Sequence, residues 1–174
     1  RGRHHWHPFH RHDADARSSR PLTDEERTDF ASYAAAIVRG IPSLEHVIVG
    51  NEPNLNRFWL PQFAPDGSSV APAAYFALLA ETYDAIKAAS PDVTVYGGAV
   101  SPRGTDRADG TRPTHSPTTF IQGLGAAYRA SGRTRPIMDA LSIHVYGDNS
   151  SVPPSVGHPL NTSIGVADYD KLVS

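Results

Sequence analysis

The chain has no cysteine among its 174 residues, which excludes a disulfide framework, a thiolate-bound metal and a cysteine nucleophile. It also has no run near the roughly 18 apolar residues that a membrane-spanning helix needs, so no membrane partner is expected. Neither sign of charge dominates, and a formal charge of -2 gives no global attraction to nucleic acid or to an anionic bilayer. No Gly-x-Gly-x-x-Gly run and no P-loop lysine follows an apolar segment, which argues against nucleotide binding. The start, Arg1-Gly2-Arg3-His4-His5-Trp6, lacks an initiator Met and an apolar stretch, so no signal peptide is read there and both ends read as cuts. What remains, 39% hydrophobic and 20% charged residues, is the composition of one globular domain.

The organisation alternates. Thr23-Asp24-Glu25-Glu26 reads as a capping box ahead of a helical stripe at Phe30, Tyr33, Ala34, Ile37 and Val38, stopped by Gly40. Val47-Ile48-Val49 is a β-branched run of strand type. Pro72 fits the first turn of a second helix striped by Tyr75, Leu78, Leu79, Tyr83 and Ile86, on which Glu81 and Asp84 read as a solvated face. Residues 93–100 form the next strand, with Gly97 and Gly98 at its exit where backbone must pass close to something. Ser116-Pro117 restarts a helix bearing Phe120, Ile121, Leu124 and Tyr128, and Ile137 to Tyr146 reads as a third strand. Asp168 to Val173 reads as a helix beginning. Helix, strand, helix, strand, helix, strand and helix start make a βα-repeat pattern with parallel pairing.

Polar chemistry gathers where strands end. Val47-Ile48-Val49-Gly50 runs straight into Asn51-Glu52-Pro53-Asn54, and the third strand ends in His144 and Tyr146, two residues apart and on one face of an extended chain. In parallel α/β folds the loops leaving those ends converge on a single crevice. An Asn beside a Glu lets one side chain hold a sugar hydroxyl while the other passes a proton to the neighbouring glycosidic oxygen. Trp59, in the loop after Glu52, is either an exposed platform for a sugar ring or a loop anchor. Asp139 lies five residues before His144, roughly 16 Å away at ~3.3 Å per strand residue, and reads as structural.

Asn51-Glu52-Pro53-Asn54 after an apolar strand resembles the acid/base motif at the end of strand 4 in the cellulase-like clan A of retaining glycoside hydrolases. The resemblance implies a partial (β/α)8 TIM barrel, strands 4 to 6 with flanking helices, in which residues 1–174 are part of one catalytic domain truncated at both ends. Such a barrel typically takes about 250 residues. Glu52 then matches the general acid/base, Asn51 the amide that binds the substrate hydroxyl, and His144 and Tyr146 the His-x-Tyr at the end of strand 6. Trp59 and Arg103 are placed by position alone. The clan's nucleophile is a Glu at the end of strand 7; after His144 this chain offers only Asp148, Asp168 and Asp170, in loop or helix-start contexts, so the nucleophile is expected outside it. The substrate implied is a β-linked oligo- or polysaccharide, with no metal or organic cofactor and with export of the full-length protein.

Three other readings stand beside this one. A catalytically silent carbohydrate-binding barrel would keep the platforms and lose a carboxylate. The amino-terminal histidines His4, His5, His7, His10 and His12 would form a metal-binding segment, although no His-x3-His pair is present; the same stretch also reads as a long aromatic and basic loop flanking a site, in which Trp6 or Phe9 either stacks on a sugar ring or packs the loop. A barrel enzyme of another kind would use Glu52 alone as a base.

Overall fold

A computed structural model describes residues 23–173. The amino-terminal histidines, with Trp6 and Phe9, lie outside the described residues. The fold is mixed α/β: α1 (Asp24–Gly40), β1 (His46–Val49), α2 (Ala71–Ala89), β2 (Thr94–Val100), α3 (Pro117–Ala130), β3 (Ala140–Ile143), a 3-10 turn (Val166–Asp168) and α4 (Asp170–Val173). The strands form one sheet in the order β1-β2-β3, both pairs parallel.

Local chemistry sets the helix ends. Glu26 donates its backbone N–H to Thr23 Oγ1 at 3.1 Å while Thr23 N–H reaches Glu26 Oε2 at 2.9 Å, closing the capping box, and acids at 24–26 meet the positive end of the helix dipole. Pro72 sits in the first turn of α2. Ser116 caps α3 by accepting the Thr119 N–H.

The three long helices pack side by side, α1 on α2 and α2 on α3, over one face of the sheet. The core between them and the strands joins Val38, Tyr75, Leu79, Ile86, Phe120 and Leu124 to Val49, Val95 and Val100. Tyr75, Leu79, Ile86 and Phe120 are fully buried, and burying a side chain of this size stabilises by about 1.5–3 kcal/mol. Gly97 is required here, since a Cβ on it would stand 2.7 Å from both Leu79 Cδ2 and Met138 Sδ. On the opposite face His46 meets the edge of Tyr96, and Ile48 is 54% exposed.

Two side chains differ from a purely solvated helix face. Asp84 accepts from Arg133 and Arg135 and ties α2 to the loop before β3; Arg133 first of all, by its hydrogen bond, holds the carboxyl below the usual range despite partial burial. Glu81 accepts from Thr28 Oγ1 at 2.6 Å and joins α2 to α1. Asp139 is structural: it accepts from Val95 N–H at 2.8 Å and Lys87 Nζ at 2.7 Å, far down β2 from the polar loops. Regular pairing of β3 is limited to Ala140–Ile143, shorter than the 137–146 run suggested. The register slips between Gly98 and Val100, leaving Ala99 as a bulge. Among the described residues, no helix is long and apolar enough to cross a membrane.

Candidate functional site

The bulge is where the site is made. Gly98 has φ 95 and Ala99 φ 46, so the Ala99 carbonyl turns away from the sheet and accepts the Glu52 N–H at 2.9 Å. The next carbonyl, Val100 O, accepts the His144 N–H at 2.8 Å. Two consecutive carbonyls of β2 therefore set the exits of β1 and β3 level with each other. Below them Tyr75, fully buried, donates its hydroxyl to Val49 O at 2.6 Å and accepts the Gly98 N–H at 2.7 Å. Its phenol spans the strand ends at the start of the bulge, and burial pushes its pKa far up, so it remains a donor.

Glu52 emerges from that frame with φ 44 and is 7% exposed. Its Oε1 accepts from Tyr146 Oη at 2.6 Å and lies 2.8 Å from His144 Nδ1. A carboxylate can only accept, so the neutral His144 tautomer that fits carries its proton on Nδ1, leaving Nε2 as an acceptor. Burial, reinforced by the bond to Glu52, pushes the Tyr146 phenol up, which keeps it protonated and donating. Both contacts converge on Oε1, and no described residue donates to Oε2. One oxygen is anchored; the other is left for exchange with something outside the triad.

The loops behind Glu52 are stitched by buried polar side chains that sequence reasoning did not single out. Asn54, fully buried, donates to the carbonyls of Ser101 (3.2 Å) and His115 (3.0 Å) and accepts the Ser101 N–H at 2.9 Å. Gln62 donates to Pro53 O and Trp59 O, which turns its Oε1 toward His115 Nδ1 at 2.7 Å. His115 therefore carries its proton on Nδ1, and Nε2 accepts from Ser69 Oγ at 2.7 Å. Burial lowers its pKa, in keeping with a neutral ring. The signal available in sequence was the second Asn of Asn51-Glu52-Pro53-Asn54; Gln62 and His115 carry no pattern of their own.

The site residues expected from sequence fall in different places. Glu52, His144 and Tyr146 meet at one carboxylate oxygen. Asn51 is exposed on the rim beside Glu52, and its side chain bonds to no described residue. Trp59 is 5% exposed and presents its ring edge-on to Tyr75, centroids 5.6 Å apart. That corrects the exposed-platform reading: the loop after Glu52 folds back on α2 and carries the indole into the core. Arg103 pairs with Asp148 at 3.2 Å, both side chains about half exposed. The other late carboxylate with firm partners, Asp168, is held by His158 and Lys171. Among the described residues, no group of three or more His, Asp and Glu is arranged to hold a metal ion. No protein-family model matches the chain, and no curated protein matches it.

Proposed function

We propose that these residues form part of a retaining glycoside hydrolase acting on a β-linked oligo- or polysaccharide, with Glu52 as general acid/base. The observation that carries the reading is the convergence of His144 and Tyr146 on Oε1 of a nearly buried glutamate at the exits of parallel strands. With Oε1 fixed by two donors, Oε2 is the atom that carries and delivers the proton. In the first step it passes its proton to the departing glycosidic oxygen; in the second it removes one from water. Asn51, on the rim, binds the hydroxyl next to the reacting carbon.

The finer architecture belongs to the same proposal: three parallel strands of a (β/α)8 barrel. An all-parallel sheet is ordinarily covered on both faces, and here Ile48 stands exposed on the face away from the helices. Retaining chemistry needs a second carboxyl about 5–5.5 Å from the first. Asp148 and Asp168 are engaged with Arg103, His158 and Lys171, and Asp170 stands in the first turn of α4, so the proposal takes the nucleophile from a residue outside these 174.

The test uses the complete gene product and a panel of β-glycosides differing in leaving group. Glu52→Ala is expected to cut kcat/KM by about 10²–10⁴ on poor leaving groups and far less on a dinitrophenyl glycoside, which departs without a proton. Added azide should restore turnover in the variant and give a β-configured glycosyl azide. Equal losses on both leaving groups with no azide product would refute the acid/base role. Sugar binding without turnover by the native protein would favour a silent carbohydrate-binding barrel instead.

A further inference from the structure

Apart from the Glu52 carboxylate, a serine, a histidine and a glutamine form a continuous hydrogen-bonded chain. Ser69 Oγ lies 2.7 Å from His115 Nε2, and His115 Nδ1 lies 2.7 Å from Gln62 Oε1. A hydroxyl on one ring nitrogen and a fixed acceptor on the other is the arrangement by which a base activates a serine nucleophile. Access differs along the chain: Ser69 is exposed, whereas His115 and Gln62 behind it are fully buried.

An amide in the third place defeats such a serine when it holds the imidazole in the wrong tautomer. Gln62 cannot turn round to do so, because its amide nitrogen already donates to Pro53 O at 2.9 Å and to Trp59 O at 2.8 Å. Its oxygen faces His115 Nδ1, which therefore carries the proton, and Nε2 is left to take one from Ser69. Phe63 stacks on the ring with centroids 4.3 Å apart and Phe120 meets it edge-on, so the imidazole is held from two sides. Burial lowers the ring's pKa and keeps it in the neutral form that a base requires, while the nearby Asp106 favours the imidazolium formed during reaction.

Negative charge is also provided for. Ser69 stands two residues ahead of α2, whose start has no side-chain cap, so the positive pole of that helix is open beside it. The bonds flanking Ser69 run from Ala64 N–H to Ser68 O and from Val70 N–H to Gln62 O, and the Ser69 N–H itself is given to no described residue. Free backbone donors at such a place suit the oxygen of a tetrahedral adduct.

We propose that Ser69, His115 and Gln62 form a second site, separate from Glu52, that removes the acyl group of a carboxylic ester. Ser69 Oγ attacks the carbonyl carbon as His115 Nε2 takes the hydroxyl proton. Collapse of the adduct breaks the bond to the alcohol, which leaves with that proton. Water then attacks the acyl-serine, again through Nε2, releasing the carboxylic acid and restoring the hydroxyl. A neutral amide behind the histidine stabilises the imidazolium less than a carboxylate does, which fits an ester and not the poorer leaving group of an amide.

The test treats the complete gene product with a fluorophosphonate, which labels activated serines with loss of fluoride, and with p-nitrophenyl acetate. Ser68, the adjacent exposed serine, is the internal reference, since its hydroxyl bonds to Asp66 and to no histidine. Mass spectrometry is expected to find Ser69 labelled about 10²–10⁴ times faster than Ser68, with His115→Gln losing that advantage. Ser69→Ala, shown to melt with the native protein, should lose both the label and acetate release, and Ser68→Ala neither. Should His115→Gln not fold, the native pH profile decides: the labelling rate is expected to hold down to the ordinary histidine value of 6.5 and to fall only below it. Equal labelling of the two serines, or a Ser69 rate that climbs steadily with pH as free hydroxyls do, overturns the activated serine. Label on Ser69 with no acetyl transfer from the ester overturns the substrate class.

Discussion

Tyr75→Phe removes one oxygen and no packing volume, which makes it the cleanest probe of how the strand exits are held. The hydroxyl bridges Val49 O and Gly98 N, both buried, so its loss leaves an acceptor and a donor without partners. Each orphaned group costs about 1–3 kcal/mol, offset in part because a buried hydroxyl no longer has to be desolvated. A net loss of about 3 kcal/mol is expected. For a domain of 150–250 residues that corresponds to roughly 6–12 °C in Tm. Thermal unfolding followed by circular dichroism measures it, with Tyr33→Phe as the control, since Tyr33 is 66% exposed and its change should stay within about 0.5 kcal/mol. Strands that simply closed up to bond Val49 O directly to Gly98 N would show as a loss below about 1 kcal/mol. That result would refute the bridging role and, with it, the claim that the phenol sets the spacing under Glu52.

Trp59→Ala should cost about 3–5 kcal/mol of stability, because it opens a cavity against Tyr75, and calorimetric unfolding would show it; a sugar platform would instead lose affinity with stability intact. Tyr146→Phe takes one of two donors from Glu52 Oε1 and is expected to lower kcat about tenfold with little change in KM, measured on an aryl glycoside; a change confined to KM would contradict it. His115 has its folded pKa depressed by burial below the ordinary 6.5, so the neutral ring's contribution is complete above that value and is lost as pH falls through it toward the folded pKa. Denaturant midpoints between pH 7.5 and 5 should therefore fall in the native protein and fall less in His115→Gln. The carboxyl of Asp168 titrates well below its usual range because, against the opposing effect of its own burial, Lys171, His158 and two backbone N–H groups stabilise the charge. Its contribution persists above about pH 4 and is lost on further acidification, so Asp168→Asn should raise amide exchange in residues 157–165 at neutral pH and flatten its acid dependence.

Short-range chemistry was readable and long-range closure was not. Thr23, Pro72 and Ser116 announce helix starts within three or four residues of themselves, and the structure has each of them in that place. The order of strands and helices followed from runs such as Val47-Ile48-Val49, and Glu52, His144 and Tyr146 could be grouped because each stands just past a strand end. Trp59 could not be placed, since an indole serves equally as a platform or an anchor and only the path of residues 53–70 decides. Tyr75 counted as one apolar residue in the α2 stripe; its hydroxyl matters only because Val49 and Gly98, 26 and 23 residues away, come to it. The glycines at 97 and 98 signalled a close approach of backbone at the end of β2, but not that the approach takes the form of a bulge at Ala99.

The left-handed backbone at Glu52 and Ala99 bears on how such a site is lost. A residue with a Cβ is held there against its preference by about 1–3 kcal/mol, and a glycine would not be. Drift at these two positions therefore has a downhill direction in local backbone energy, toward glycine, and at Glu52 that direction removes the proposed acid. A lineage released from selection for chemistry would shed the carboxylate while its fold kept or gained stability. Persistence of Glu at φ 44 among related chains would then report continuing use of the group and not the needs of the fold.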